Sequence, residues 1–423
     1  MVHAARHDGA QSIKHLFPED NHGAAMKLIH TSDWHLGRTL HGEDLLPYQA
    51  TFLDWLLAES VSNQVDAVVV AGDIYDRAVP PIEAVAVLDR ALGGFASARI
   101  PVVLISGNHD SAVRLGFGAS LSEVAGVHLR TGVADIANPV VLNDDHGEIA
   151  IYGIPYLLPD AVMADLGAQR SHTSVLAAAT AQIRADAASR GIGRTVVTAH
   201  AFVSGALPCE SERDIRVGGI GDAPASVFAG LNYVALGHLH GQQDVRPPSE
   251  PGRIRYSGSP LAFSFSERHQ AKSVTLAEID SAGAVTTTKL AAPVPRRLRQ
   301  VRGTLDELLA TADADPDLAD AWVKVILTDT VRPPSPMERL RERWPHTLVL
   351  DFAPESELPS PASDLRRLAR AADPAEICGM FVEFASGGWP DDEQRAVLAD
   401  VIESAAHADA PETGSLTALI EAA

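Results

Sequence analysis

The sequence predicts an α/β fold, and three observations predict it. Short β-branched apolar runs, Asp66-Ala-Val-Val-Val-Ala71 and Ile100-Pro-Val-Val-Leu-Ile105 among them, read as strands buried on both faces. They alternate with segments whose apolar residues recur at helical spacing. Several of the strand-like runs stop at polar, ligand-type side chains. That suits the rim of an α/β sheet, where ligands bind beyond the carboxyl ends of strands.

At 423 residues the chain exceeds one core, so two or three domains are expected. A hydrophobic content of 46% with 21% charged residues is that of an ordinary globular protein. No apolar run approaches the roughly 18 residues of a membrane span, so no membrane association is expected. Two cysteines, Cys209 and Cys378, exclude a disulfide framework and a thiolate-rich zinc site, and fit a reducing cytoplasm. The balance of 34 Lys and Arg against 55 Asp and Glu, net −21, argues against a protein that coats nucleic acid by itself. It leaves room for an enzyme that holds a phosphodiester on metal ions and borrows basic surface from a partner.

The first 25 residues are polar, lack the apolar region of a secretory signal and are expected to be disordered. Met26 to Thr31 reads as the first strand and ends in Ser32-Asp33-Trp34-His35-Leu36-Gly37. Asp33 and His35 project the same way if the extended period persists, although a surface turn is the commoner meaning of such a triplet. Gln49 to Asn63 carries Phe52, Leu53, Leu56, Leu57 and Val61 at helical spacing. The second strand, 66–71, ends in Gly72-Asp73-Ile74-Tyr75-Asp76-Arg77. Pro80-Pro81 opens a helix from Ile82 to Leu92. The strand 100–105 then ends in Ser106-Gly107-Asn108-His109-Asp110, which alone is as good a turn as a site. Right-handed crossovers would put these strand ends on one edge of a sheet.

Further strands are expected within 127–156, including Ile149 to Ile154, then an alanine-rich helix from Ala161 to Arg190. Arg194 to Ala199 reads as a buried strand ending at His200, and Phe202 to Gly219 as a loop. Leu231 to Leu236 leads into Gly237-His238-Leu239-His240-Gly241, where alternate imidazoles point together if the chain stays extended. A short strand, 253–255, precedes a tight turn at Tyr256-Ser-Gly-Ser-Pro260, and Ser273 to Ile279 and Val285 to Leu290 form an antiparallel edge. Composition shifts at Pro293 to Arg299. Beyond it, Trp322–Leu327, Met337–Trp344 and Thr347–Phe352 read as strand, helix and strand, and 354–363 as a linker. Leu365–Ala372, Ile377–Phe384 and Asp391–Ala405 are helix candidates, and the last fifteen or so residues read as frayed.

Asp33, His35, Asp73, Asn108, His109, His200, His238 and His240 thus stand at or just past the ends of five strand-like runs. Mixed imidazole, carboxylate and amide donors suit Mn, Fe, Co or Zn better than Ca. Two ions about 4 Å apart would serve an in-line displacement at phosphorus.

At this point the motifs resemble a known family. Asp33-x-His35, Gly72-Asp73-x-x-Asp76, Gly107-Asn108-His109-Asp110, His200 and Gly237-His238-x-His240 are similar, in order and spacing, to the motifs of the calcineurin-like metallophosphoesterases. Within them the chain resembles the bacterial nuclease subunits of the SbcD type. Thr31–Gly37, Gly72–Arg77, Gly107–Ser111 with Arg114-Leu115, Ala235–His240 and Tyr256–Pro260 carry that likeness, strong over 26–290 and weaker beyond. Gly241-Gln242 departs from it, because a basic residue and proline are expected after the second histidine.

The resemblance implies a metallophosphoesterase β-sandwich flanked by helices, over 26–292. It also implies a small α/β capping domain over 296–353, and C-terminal helices over 354–423 that dock a partner or pack on their own domain. It implies two divalent ions, manganese first. One ion would take Asp33, His35, Asp73 and His240. The other would take Asp73, Asn108, His200 and His238. His109 would meet the scissile phosphate and help the leaving 3′ oxygen take a proton. Asp76 and Asp110 would orient ligands and loops, with a plain turn cap the alternative for Asp110. Arg77 and Arg114 would touch DNA phosphates or form surface ion pairs. The implied activity is double-strand 3′–5′ exonuclease and single-strand endonuclease, in DNA end processing, replication and recombination. The implied assembly is a homodimer with an SbcC-like coiled-coil ATPase, and this chain has no phosphate-binding Gly-x-x-x-x-Gly-Lys-Ser/Thr loop of its own. The alternative is a metallophosphoesterase acting on small phosphodiesters or phosphoproteins, which could stop near residue 290. A non-catalytic adaptor is a third reading, and the full donor set argues against it.

Overall fold

The computed structural model describes residues 25–212, 222–245, 253–310, 312, 315–354, 374–386 and 388–407. The N-terminal extension before residue 25, nearly all of the expected 354–363 linker, the helix candidate 365–372 and the last fifteen or so residues lie outside the described residues. So does most of the second half of the 202–219 loop. The chain divides into two compact units, Met1–Leu298 and Arg299–Ala423.

The β-branched runs of the first unit form the centres of two six-stranded sheets. The strands of the chain run β1 (Met26–Thr31), β2 (Thr39–Leu40), β3 (Glu43–Asp44), β4 (Ala67–Val70), β5 (Val102–Ile105), β6 (Val127–Arg130), β7 (Val140–Asp144), β8 (Gly147–Ile154) and β9 (Arg194–His200). Then come β10 (Tyr233–Gly237), β11 (Gln243–Val245), β12 (Arg253–Tyr256), β13 (Ser273–Ile279) and β14 (Val285–Ala291). One sheet has the order β14-β13-β1-β4-β5-β6 and the other β11-β12-β10-β9-β8-β7. β1, β4, β5 and β6 are parallel, as are β8, β9, β10 and β12, so most ligand-bearing strand ends share a direction within each sheet.

Strand alternation divides the side chains between two faces. Leu28, Val69, Val103, Ile151, Val196, Tyr233 and Ala235 meet between the sheets. Ile29, Val68, Val70, Val102 and Leu104 point the other way, against α1 (Leu46–Ser62) and α2 (Ile82–Ala98). On the far side, Tyr152, Ile154, Val197 and Leu236 are covered from helices at Pro159–Leu166 and His172–Arg190. The result is the α/β sandwich with helices on both outer faces. The site residues therefore converge from two sheets, not from one sheet edge.

Three elements differ from expectation. α2 continues through Gly93-Gly94 because Gly94 lies against Leu57 of α1, where a Cβ would stand 2.8 Å from its Cδ2. The alanine-rich stretch is two helices, since Gly167 caps the first at φ +60°. In the second unit the stretch read only as a boundary supplies a strand, β15 (Leu298–Gly303). It pairs into a three-stranded sheet, β15-β16-β17, with β16 at Trp322–Leu327 and β17 at Thr347–Phe352. A helix at Pro336–Arg343 joins β16 to the parallel β17, and Leu305, Val323, Val325, Leu340 and Trp344 form the core. Helices Pro374–Ser386 and Asp392–His407 follow. No described helix is long and apolar enough to cross a membrane.

Candidate metal centre

The loops after β1 and β4 are joined by backbone hydrogen bonds. Asp33 N donates to Gly72 O (3.0 Å), His35 N to Asp73 O (2.9 Å) and Leu36 N to Ile74 O (2.9 Å). The extended period does not persist here. Asp33 (φ 53°), His35 (45°), Asp73 (50°) and His238 (103°) all have positive φ, and they are four of the eight described non-glycine residues that do. Asp and His tolerate this region better than most residues, but it costs of order 1–3 kcal/mol each and persists where the surroundings enforce it. Backbone kinks aim the ligands inward, not strand alternation.

The same holds for His238-x-His240, whose rings do not point together. His240 Nε2 lies 3.2 Å from His35 Nε2, whereas His238 Nδ1 lies 3.1 Å from Asn108 Oδ1. Two half-sites result. In the first, Asp33, His35 and His240 bring ligand atoms within 4.8 Å of one another. In the second, Asn108 Oδ1 lies 2.9 Å from His200 Nε2, beside His238. Asp73 Oδ2 stands between them, 3.6 Å from His35 Nε2 and 3.5 Å from His200 Nε2. Asp33 is also shared, because it groups with Asp73 and His200 as well. Asp33, His35, Asp73, His200, His238 and His240 are all buried.

Electrostatics make this arrangement costly without a cation. Burial, then the charge of Asp73, pushes the Asp33 carboxyl up. Burial, then neighbouring imidazoles, pushes His35 and His238 down, and burial does the same to His200. These rings are therefore neutral, and their tautomers can be followed. His200 Nδ1 donates to Ala71 O (2.8 Å), which leaves the Nε2 lone pair facing Asn108 and Asp73. His240 Nδ1 faces Ser211 Oγ (2.7 Å), and that hydroxyl gives its proton to Glu267, so His240 Nε2 is also a lone pair. His35 Nδ1 has no hydrogen bond but lies 3.6 Å from Asp76 Oδ1; a proton there leaves its Nε2 lone pair facing that of His240. Lone pairs and carboxylates converging in a buried space fit divalent cations.

The other predicted residues surround the half-sites. His109 N donates to Asp73 Oδ1 (2.9 Å), and its Nδ1 donates to the Asp76 carbonyl (2.8 Å). Its ring packs edge-on to His35, with centroids 4.7 Å apart. His109 groups with His35 and Asp76, and the His35 nitrogen that faces Asp76 is Nδ1, not the Nε2 that meets His240. Asp110 accepts from Gly107 N, Ile74 N and Tyr75 N, so it caps its own turn and also ties the β4 loop to the β5 loop. Burial, then Asp73, pushes its carboxyl up to about 7 against those three donors. Arg77 is exposed, 4.0 Å from Asp76, and Arg114 places a guanidinium nitrogen on Ala78 O (3.1 Å).

Several residues at the site were not expected. Glu212 accepts from His240 N (2.6 Å) and Cys209 N (2.8 Å). Arg38 donates to Ser211 O (2.9 Å) and lies over the Phe263 ring, which packs edge-on to His35 and His240. Glu267 and Lys272, buried and paired, complete the set. The only local signal was a pair of charges beside the apolar run Leu261, Phe263 and Phe265. The Gly241-Gln242 departure is occupied internally: Gln242 accepts from Arg255.

The family model for calcineurin-like phosphoesterase matches residues 26–242, just over half of the chain. A second model, SbcD_C, described as the type 5 capsule protein repressor C-terminal domain, matches 294–382. Among solved structures the chain is similar to TT1561 of Thermus thermophilus at 12% identity, over 63% of this chain and 99% of that one, TM-score 0.38. It is also similar to a dimetal phosphatase from Danio rerio at 12% identity, over 63% and 96%, TM-score 0.38. At that distance neither carries an argument about chemistry. The family model does, and it agrees with the buried donor set. The chain belongs to the calcineurin-like phosphoesterase family of metal-dependent hydrolases.

Proposed function

We propose that this chain is the nuclease subunit of an SbcCD-type complex, hydrolysing DNA phosphodiesters as a double-strand 3′–5′ exonuclease and single-strand endonuclease. Its place would be DNA end processing in replication and recombination. The observation that carries the reading is a two-part centre of imidazole, carboxylate and amide donors in a chain whose 294–382 segment matches the SbcD-type C-terminal domain. Two divalent ions, manganese first, would be held by Asp33, His35, Asp73 and His240, and by Asp73, Asn108, His200 and His238. When bound they supply an activated water and neutralise charge on the phosphate. Asp73 would be shared by the two ions, a role supported by its carboxylate standing evenly between the halves. His109 keeps Nδ1–H on the Asp76 carbonyl, so it is Nε2 that would face the substrate, and in the imidazolium form its Nε2–H is the proton that passes to the leaving 3′ oxygen, leaving the neutral ring. Asp76 and Asp110 orient His35 and the loops, and exposed Arg77 and Arg114 meet DNA phosphates.

Exposed apolar residues support the assembly. Ile82, Val85, Val113, Phe117, Leu121 and Val124 are exposed apolar side chains that a homodimer contact would cover. Ile377, Phe381, Val397 and Val401 suit docking of an SbcC-like coiled-coil ATPase, which would also offset the net charge of −21 at the DNA. Both cysteines are free, which is compatible with the reducing cytoplasm in which such a subunit would work.

The test is cleavage of duplex and single-stranded DNA by the purified chain with Mn2+, alone and with its ATPase partner. His109→Ala is expected to retain both ions and lose about 10²- to 10⁴-fold in rate. Absence of DNA cleavage alongside brisk hydrolysis of a small phosphodiester would overturn the reading in favour of a small-substrate phosphoesterase.

A further inference from the structure

We infer that Ser211 and Glu267 are positioning residues that fix the metal-ready tautomer of His240. The inference rests on the two-ion reading above. Glu267 is almost fully buried, which is costly for a carboxylate unless it is paired. Its Oε2 holds Lys272 Nζ, and its Oε1 accepts from Phe263 N (2.9 Å) and Ser211 Oγ. Lys272 is itself fixed by Ser259 Oγ (2.9 Å), Gln270 Oε1 (2.8 Å) and the His240 carbonyl (3.1 Å). A carboxylate paired with an ammonium is an acceptor only. The Ser211 proton must therefore go to Glu267, and toward His240 the hydroxyl can only accept. His240 then carries its proton on Nδ1, and Nε2 is left as a lone pair beside His35 Nε2. The direction of one hydrogen bond, set by a buried ion pair, decides whether the imidazole can bind a cation.

The serine is held in place from three directions. Arg38, from the loop after β1, donates to its carbonyl. Its neighbour Glu212 accepts from the His240 backbone N–H, and Glu267 takes its hydroxyl. The bland alternative is that Glu267–Lys272 is only a buried ion pair. Ser211→Ala separates the two readings, because it leaves the Glu267–Lys272 pair intact and removes the hydroxyl that joins it to His240, along with that hydroxyl's contact to Cys209 Sγ (3.3 Å). The second half-site is untouched, because His200 is oriented by the Ala71 carbonyl and His238 lies against Asn108, neither through Ser211.

The experiment is Mn2+ titration of the full chain, followed by calorimetry and by the electron paramagnetic resonance of free Mn2+, with thermal unfolding alongside. Ser211→Ala is expected to weaken one of two ions by about 10- to 100-fold and leave the other unchanged. Ser211→Thr, which keeps the hydroxyl, is expected to restore the loss. Wild-type chain binding two ions with Ser211→Ala binding both equally well overturns this inference alone. So does a Ser211→Thr variant as weak as Ser211→Ala. Wild-type chain that binds no pair of ions overturns the two-ion reading together with it.

Discussion

The two halves of the centre reach the same chemistry by different means. In the half made by Asn108, His200 and His238, the orienting acceptor for His200 is the main-chain carbonyl of Ala71, at the end of β4. That group is part of the sheet and no side-chain substitution removes it. In the half made by Asp33, His35 and His240, orientation passes through Ser211 and Glu267, side chains from a loop and from a turn near residue 267. Metal-ligating histidines commonly give their second ring nitrogen to a carbonyl or carboxylate; here His200 meets a carbonyl directly, and His240 reaches a carboxylate through a hydroxyl. The first half is built into the sandwich, and the second depends on a loop being seated.

The largest expected effect removes what the halves share. Asp73→Ala takes away the carboxylate between His35 and His200, along with the acceptor for His109 N–H. Both ions should be lost from metal analysis of the purified variant, with cleavage abolished. If one ion remains at wild-type affinity, Asp73 is not the bridge, and Asp33, grouped with both halves, takes that role.

A smaller effect falls on the sheet-built half alone. Gly72 has φ +85°, and a Cβ there would stand 2.5 Å from His200 Nδ1. Gly72→Ala should therefore cost about 1–3 kcal/mol of stability from the strained backbone, read as a lower Tm. It should also turn the His200 ring away from Ala71 O and weaken one ion. That ion should be the one Ser211→Ala spares. Double substitution weakening both ions, each as in its single variant, is the additive outcome for separate half-sites. Two variants that weaken the same ion contradict the division.

Sheet-built features were largely legible in the sequence. β4, β5, β9 and β10 are runs of β-branched and small apolar residues, and the donors at their ends follow a short motif each. Legibility failed where local conformation departs from its period. Asp33, His35 and His238 were expected to project by strand alternation, and positive φ aims them instead. It failed again where the partner is distant in sequence: Ser211 and Glu267 are 56 residues apart and meet only through the fold. A strand after Pro295 was missed because Leu298–Gly303 alternates with arginines and reads as a charged boundary.

The smallest expected effect is a pH dependence that should differ between the halves. His35, His200 and His238 are held below their ordinary range by burial, so at neutral pH they carry no proton for an incoming cation to displace. Asp33 is pushed the other way, by burial and by Asp73, so its carboxyl retains a proton above the usual carboxylate range. A cation binding to Asp33 must displace that proton, and affinity then rises by up to about tenfold per pH unit until the group is ionised. Asp110, up at about 7, adds to the trend by loosening the loop contacts at Gly107, Ile74 and Tyr75 as it protonates. For the metal-free chain the sign runs with these carboxyls: folded values above the unfolded value mean that stability is lost as pH rises through them. Divalent ions should therefore raise Tm more at pH 8 than at pH 6. Mn2+ titrations at those two pH values should show the steeper change at the ion weakened by Ser211→Ala, since Asp33 belongs with His35 and His240. Equal slopes at both ions would mean that Asp33 serves the two halves alike.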